Sequence, residues 1–321
     1  MSEQTHDGST VPVQGIVVGV DGSDPALCAL EWSAAEAKRR GVPLNIVTAY
    51  TIPVFAASSM DAGYATLDDQ VIRDGAEEVL RQARATVTDP DVEVRTRVES
   101  GDPAGVLLDL SAQADLVVVG TRGRGGFVGR LLGSVSSALP AHAKCPTVVV
   151  PLCVSERAEG VSGMRDIVVV GVDGSERARL AVLVAAEQAV NRGVPLRIVC
   201  ALPPISGSLA WMPATVDQEA LTLDVRRQLR AGTRWLKSHF PDLTVESDVI
   251  EGPPIEVLIH ESSVATLLVT GSRGRGGFAG MLLGSTSQGV LHHSRGPVMV
   301  VPDREDPRLA DRPKFDDPLD V

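Results

Sequence analysis

The sequence of 321 residues has few aromatic side chains and no long apolar run. Aromatic residues make up 3% of the chain, whereas valine, leucine and alanine are abundant, which suits a parallel sheet packed beneath helices with small side chains. No stretch reaches the roughly 18 apolar residues that a membrane span needs. The polar start, MSEQTHDGST, lacks the basic and apolar regions of a secretion signal. We therefore expect a cytoplasmic protein with no membrane insertion.

Positive charge and closely spaced cysteines are also scarce. The formal net charge is -11, which argues against a general nucleic-acid or anionic-membrane surface, because such surfaces need clustered positive charge. No two cysteines have the C-x-x-C spacing of metal sites and redox motifs, and most lie in apolar segments. We expect buried, reduced thiols rather than metal ligands or disulfides at all four positions, Cys28, Cys145, Cys153 and Cys200.

The two halves of the chain are copies of one another. Positions 17–23 and 169–175 both read VVGVDGS, and the glycine-rich blocks 120–137 and 271–288 agree at 13 of 18 positions. A displacement of about 150 residues indicates two homologous domains rather than a stack of short repeats, and each half is long enough to bury its own core. The predicted organisation is a disordered tail at 1–14, a first domain at 15–151, a linker at 152–165, a second domain at 166–302 and a disordered tail at 303–321.

Strand and helix signals alternate within each half. The apolar run 16–20 predicts a buried central strand, and Ser-Asp-Pro at 23–25 predicts the start of a helix. Further strands are predicted at 44–50, 92–98, 116–119 and 147–150, with helices between them. The pattern predicts an α/β fold of two tandem, doubly wound, five-stranded parallel sheets, Rossmann-like, with helices on both faces.

The glycine-rich block carries the chemistry of each half. Gly120 ends a strand at the sheet edge where open α/β folds bind ligands, and glycine allows close approach to the backbone. Gly133 and Ser134 start a helix whose free amides suit phosphate oxygens, with the Ser134 and Ser136 hydroxyls as further donors. Asp21, at the end of the first strand, is placed to reach a ribose hydroxyl or a phosphate-bound Mg²⁺. The same features recur at Asp173, Gly271, Gly284 and Ser285.

Simpler interpretations of these residues stay open on sequence alone. The glycines could serve only tight turns, and Asp21 and Asp173 could be helix caps. The loop arginines could be solvated charges or phosphate contacts; they are Arg122 and Arg124 in the first half and Arg273 and Arg275 in the second.

Together, these motifs resemble those of the universal stress protein family, in the tandem-domain, ATP-binding form typical of actinobacteria. The family's ATP motif is Gly, two residues, Gly, nine residues, Gly-Ser. It is matched from Gly120 through Gly123 to Gly133, and again from Gly271 through Gly274 to Gly284. The resemblance spans about 15–302 and implies a HUP-type sheet with strand order 3-2-1-4-5 in each half. It also implies pairing of the last strands, 147–150 and 298–301, and association of two chains as a homodimer.

The resemblance also implies roles for individual residues. The aspartates would contact the ribose or a Mg²⁺ held by the phosphates, the backbone near the alanines would meet adenine, and the glycine block would hold ribose and phosphates. The ATP-binding residues assigned to the first half are Asp21, Ala49, Gly120, Gly123, Arg124, Gly133, Ser134, Val135 and Ser136. Those of the second half are Asp173, Ala201, Gly271, Gly274, Arg275, Gly284, Ser285, Thr286 and Ser287.

Motifs for fast nucleotide chemistry are missing. The chain has no G-x-x-x-x-G-K-[ST] loop, and Val128 replaces the third glycine of a G-x-G-x-x-G fingerprint. No general base can be named, so no catalytic residue is assigned. The favoured hypothesis is an ATP-dependent regulator or sensor in stress adaptation that engages an unknown protein partner, with slow or no turnover. The alternatives are a slow ATPase or adenylate-transferring enzyme, and a scaffold whose sites stay empty.

Overall fold

The computed structural model describes residues 13–51, 69–123, 132–152, 165–203, 218–274 and 282–310. Strands and helices alternate through both halves, as predicted. The first half contains β1 (Ile16–Gly19), α1 (Asp24–Arg40), β2 (Leu44–Tyr50), α2 (Asp69–Thr86), β3 (Val94–Ser100), α3 (Pro103–Leu110), β4 (Leu116–Gly120), α4 (Ser134–His142) and β5 (Thr147–Val150). The second contains β6 (Arg165–Val172), α5 (Glu176–Arg192), β7 (Leu196–Leu202), α6 (Gln218–His239), β8 (Val245–Glu251), α7 (Pro254–Val264), β9 (Ala265–Gly271), α8 (Ser285–His293) and β10 (Val298–Val301).

All ten strands form one continuous sheet in the order β3-β2-β1-β4-β5-β10-β9-β6-β7-β8. Every pair within a half is parallel, which confirms the order 3-2-1-4-5 in each. At the centre β5 and β10 pair antiparallel, with Met299 opposite Val148, so the cross-half pairing is also confirmed. Because this junction is antiparallel, the carboxyl ends of the strands emerge at opposite edges of the sheet in the two halves.

Helix boundaries follow local sequence signals. Helix α1 begins after Ser23 with proline in its first turn and ends at Gly41, whose φ of 63° is left-handed. Helix α5 begins after Ser175 and ends at Gly193, where φ is 65°. A non-glycine residue at either end would be strained. Because the helices end at these glycines, only short connections lead from α1 to β2 and from α5 to β7.

The core has two layers, one on each face of the sheet. Helices α1, α2, α5 and α6 cover one face, where Leu30, Leu180 and Leu236 are buried. Helices α3, α4, α7 and α8 cover the other, where Leu139 and Val290 are fully buried. Successive strand residues point to opposite layers, as expected for strands covered on both faces. The prediction of helices on both faces is therefore confirmed.

A buried ion cluster joins the two halves beside this sheet. The fully buried Glu36 of α1 accepts hydrogen bonds from Arg192 of α5 at 2.7 Å and from Arg40 at 2.6 Å, and Arg39 pairs with it at 2.9 Å. Burial acts to raise the pKa of Glu36, but the three arginines outweigh it, and the pKa lies below its usual value. Burial lowers the pKa of Arg192 to about 10, against the pull of Glu36, which leaves it charged at neutral pH. Its guanidinium also lies 5.6 Å from the ring centre of Trp32.

Both predicted tails are shorter than expected. Val13 is 2% exposed and belongs to the core, so the first half begins before residue 15. Residues 303–310 pack on α5 instead of being disordered: Arg308 pairs with Glu187 at 2.6 Å, and a short 3-10 helix at Pro307–Leu309 rests on the core. A charged, proline-containing segment can pack where the surface offers complementary charge, which composition does not reveal. Residues 1–12, 153–164 and 311–321 lie outside the described residues.

The cysteine prediction is correct in part. Cys145 and Cys200 are buried thiols outside any disulfide, and burial raises the pKa of Cys145 to about 12. Cys28 is disulfide-bonded, so the expectation of reduced thiols at every position is wrong there. Sequence spacing was a poor guide because a disulfide depends on the distance between two cysteines in the fold. Cys153 lies outside the described residues.

None of the described helices combines the length and the apolar character that a membrane span requires.

Candidate functional site

A cavity of about 400 Å³ opens at the carboxyl edge of the first half. Its walls come from the ends of β1, β2 and β4, the start of α3 and the start of α4. Every described residue assigned to the first site lies on these walls: Asp21, Ala49, Gly120, Gly123, Gly133, Ser134, Val135 and Ser136. Residues more than 80 positions apart in sequence are thus brought together.

The second half has an equivalent cavity of about 340 Å³ at the opposite edge of the sheet. The assigned residues Asp173, Ala201, Gly271, Gly274, Gly284, Ser285, Thr286 and Ser287 all line it. Arg124 and Arg275 lie outside the described residues. The described arginines on the two walls are their neighbours Arg122 and Arg273, which supply positive charge at each site.

The N-terminus of α4 forms one wall of the first cavity. Its N-cap is Gly133, with φ -69° and ψ 166°, and no side chain caps the helix. By contrast, Asp102 caps α3 by accepting a hydrogen bond from the Gly105 amide at 2.9 Å. Helix α8 repeats the uncapped arrangement after Gly284. Because the first amides of a helix lack internal partners, both cavities present unsatisfied donors at a positive helix end, an arrangement that suits an anion.

A hydrogen-bonded clamp holds each helix start against the end of the preceding strand. The Gly133 amide donates to the Thr121 carbonyl at 2.9 Å, and the Ser136 hydroxyl donates to the same oxygen at 2.8 Å. In the second half the Ser287 hydroxyl donates to the Gly271 carbonyl at 2.7 Å. The Ser136 hydroxyl thus donates within the loop, and its contact with a ligand stays a prediction. Its role is to fix the wall that carries the amides.

One carboxylate stands opposite each helix start. Asp21 Oδ1 accepts hydrogen bonds from the Ser23 amide at 3.0 Å and the Ser23 hydroxyl at 2.6 Å. The N-caps of α1 and α5 are Ser23 and Ser175, so the aspartates are not the helix caps. A Cβ on Gly123 would overlap Asp21 Oδ2, and one on Gly274 would overlap Oδ2 of its aspartate. A side chain at either glycine would therefore push the carboxylate out of its position.

Gly120 is required for a different reason from the one the sequence suggested. A Cβ there would lie 2.5 Å from the carbonyl carbon of Pro25, so the missing side chain makes room for the first turn of α1. At Gly271 the nearest atom would be 3.3 Å away, a looser fit. Gly120 thus allows the end of β4 to pack closely against the start of α1, while its backbone still lines the cavity.

The remaining wall is apolar and was not identified from sequence. Pro103 and Leu107 of α3 line the first cavity, and their copies Pro254 and Leu258 line the second. A Cβ on Gly19 would lie 2.7 Å from Leu107, so this wall is tightly packed. Pro103 and Leu107 are separated from their copies by the same number of residues as the glycine blocks are, and this repeat in the sequence could have identified them. Each cavity therefore combines an apolar side with a helix end that suits an anion, a combination common in ligand pockets.

Few described acidic side chains are available to hold a cation in either cavity. The described part of the chain has no group of three or more His, Cys, Asp or Glu side chains placed to bind a metal. Each cavity offers one carboxylate, Asp21 or Asp173. Mg²⁺ is commonly held by one or two carboxylates together with substrate phosphates, so a metal here would need a phosphate-bearing ligand.

Comparison with known proteins agrees with this architecture. A sequence profile described as the universal stress protein family matches residues 12–151 and 164–302. Universal stress protein Rv2623 of Mycobacterium tuberculosis is 35% identical over 301 residues, covering 89% of this chain and 95% of its own. Rv2005c from the same species is 34% identical over 289 residues, covering 89% and 96%. A crystal structure of a universal stress protein from Archaeoglobus fulgidus shares the fold, with a TM-score of 0.64 at 22% identity and coverage of 90% and 98%. The chain belongs to the universal stress protein family, with two family domains in tandem.

Proposed function

We propose that each half binds ATP and that the protein acts as a nucleotide-dependent regulator in stress adaptation. The observation that carries the proposal is the repeated pairing of an uncapped helix N-terminus with a single carboxylate across one cavity. A polyphosphate suits the helix end, and a ribose or a metal suits the carboxylate. The apolar wall suits a flat base. The two sites differ little in shape, so both are expected to fill.

The residues present fit this ligand. In the first site the amides at the start of α4 and the Arg122 guanidinium would bind phosphate oxygens, and Asp21 would bind a ribose hydroxyl or share Mg²⁺ with the phosphates. The adenine would lie near the Ala49 backbone, against Leu107. On the wall of the second cavity, Thr270 Oγ1 and Arg273 Nε are buried polar atoms without a hydrogen-bond partner among the described residues. Such atoms are uncommon in folded proteins and indicate a missing polar partner.

Slow or absent turnover follows from the groups that line the cavities. In the described residues the ionisable side chains there are one aspartate and one arginine per site. Oδ1 of Asp21 is already held by Ser23, which is a poor arrangement for a general base that must accept a proton. Bound ATP adds the negative charge of its triphosphate to the cavity. A protein partner or a second copy of this protein would recognise whether ATP is bound.

The test counts nucleotide in natively purified protein and then measures ATP binding by calorimetry. Gly123→Glu and Gly274→Glu each place a second carboxylate beside the aspartate, so each should remove one of two binding events. Gly75→Glu is the matched control, because a Cβ on that exposed helical glycine meets no atom within 4 Å. Normal ATP binding by both cavity variants would refute the proposed phosphate position. ADP formation that is lost in Asp21→Asn would instead favour the slow ATPase, and release of pyrophosphate would favour the adenylate-transferring enzyme.

A further inference from the structure

The two candidate sites differ at the second residue after the last strand of each half. The Thr121 amide donates to the Val150 carbonyl at 3.0 Å, and the equivalent bond from Ser272 to Val301 is 2.8 Å. These bonds hold the start of each glycine loop against the end of β5 or β10. Two residues beyond the carbonyl, the first half has Leu152 and the second has Asp303.

In the second half this residue places a carboxylate against the arginines of the site. Asp303 Oδ2 lies 2.9 Å from Arg177 Nε, in the first turn of α5, and 3.9 Å from Nη2 of Arg273 on the cavity wall. Position 25, the counterpart of Arg177, is proline. Arg177 and Asp303 are thus an extra pair of opposite charges in the second half, and the carboxylate offsets part of the positive charge of Arg177 and Arg273 that an anionic ligand would meet.

The first half lacks this carboxylate. Leu152 and Arg122 line the same further cavity at the surface, and the leucine brings no charge to it. Among the described residues, no ion pair joins Arg122 to an acidic side chain. A ligand in the first site would therefore meet Arg122 without a paired carboxylate from this part of the chain.

The segment that carries Asp303 is anchored at both ends. It leaves β10 at Val301, and farther along Arg308 donates to Glu187 of α5 at 2.6 Å and to Asp306 at 2.6 Å. Leu309 packs against the core. Asp303 is thus held near Arg273, because β10 fixes the segment before it and Arg308 and Leu309 fix the segment after it.

We propose that Asp303 lowers the affinity of the second site for highly charged anions. This inference rests on the proposed function, since it assumes that both cavities bind the same nucleotide. A carboxylate close to the phosphates repels a triphosphate more than a monophosphate. Asp303 therefore shifts the relative affinity of the second site away from ATP and towards AMP.

The test uses reciprocal variants in full-length protein, measured by calorimetry with ATP and with AMP. Gly123→Glu isolates the second site and Gly274→Glu isolates the first. Asp303→Asn should raise the ATP affinity of the second site about threefold to fivefold at low salt, the scale of one exposed charge interaction. Leu152→Asp, at a side chain that is 54% exposed, should lower the ATP affinity of the first site by a similar factor. Both effects should be smaller for AMP and should shrink in 0.5 M salt, as screening requires, to about half or less.

Glu305→Gln is the matched control, because it removes one negative charge from the same exposed segment without touching Arg273. It should leave both affinities unchanged. If Asp303→Asn leaves the ATP affinity of the second site unchanged while both sites still bind, the inference is wrong and the proposed function stands. An effect that is equal for ATP and AMP and insensitive to salt would also overturn it, because a packing change would then be the cause. If no variant and no wild-type protein binds ATP, the proposed function fails, and the inference fails with it.

Discussion

The sharpest stability prediction concerns the buried ion cluster between the halves. Glu36→Gln removes the one carboxylate that Arg192 and Arg40 share, and their side chains are only 7% and 16% exposed. Removing one partner of a buried ion pair costs about 3–5 kcal/mol, because the remaining charge stays buried. Glutamine retains one acceptor oxygen, and a hydrogen bond is worth about 1 kcal/mol. We expect the free energy of unfolding at pH 7 to fall by about 3 kcal/mol.

The stability lost in Glu36→Gln should depend on pH. The pKa of Glu36 lies below its ordinary value of 4.5 in the folded protein. The unfolded chain therefore binds this proton at a higher pH than the folded chain does, and the stabilisation is fully present above pH 4.5. It is lost as the pH falls through the folded pKa. The difference in free energy of unfolding between wild type and Glu36→Gln should accordingly shrink as the pH is lowered below 4.5.

The assay is urea denaturation followed by tryptophan fluorescence, since Trp32 lies beside Arg192. Lys38→Gln is the control: Lys38 also lies on α1, but its ion pairs with Asp89 and Asp91 are exposed, so this variant should unfold almost like wild type. A loss in Glu36→Gln below about 1 kcal/mol, the range of exposed pairs, would refute the argument that the cluster depends on its charge. A loss of the same size at every pH would refute the assigned pKa shift.

Three further outcomes can be checked. Gly123→Ala should weaken ATP binding about tenfold or more, since an overlap with Asp21 must displace the carboxylate or the loop; isothermal calorimetry against Gly75→Ala measures this, and an unchanged affinity contradicts it. Ser136→Ala should lower the free energy of unfolding by about 1–2 kcal/mol by removing the clamp on Thr121; equal midpoints in thermal melts would show that the clamp is unimportant. Because its pKa is raised to about 12, Cys145 should resist iodoacetamide at pH 8 until the protein unfolds, and labelling of the folded protein, found by mass spectrometry, would disprove this.

Much of the site could be predicted because its residues occur in short, repeated motifs. Gly133 and Ser134 start a helix, and Asp21 follows an apolar strand, so each could be placed at the sheet edge from neighbouring residues alone. The reasons for individual residues were less visible. Gly120 accommodates the backbone of α1, and the Ser136 hydroxyl bonds the loop, because both depend on segments that are distant in sequence.

By itself, the sequence determined the two homologous halves, the alternation of strands and helices, and the glycine positions that line each cavity. These features depend on local periodicity, on helix start and stop signals and on comparison of one half with the other. Only the tertiary structure decided the contact of Glu36 with Arg192, the disulfide at Cys28 and the pairing of Asp303 with Arg177. Each of these joins residues whose separation in space follows from the packing of whole elements, and no local pattern encodes that distance.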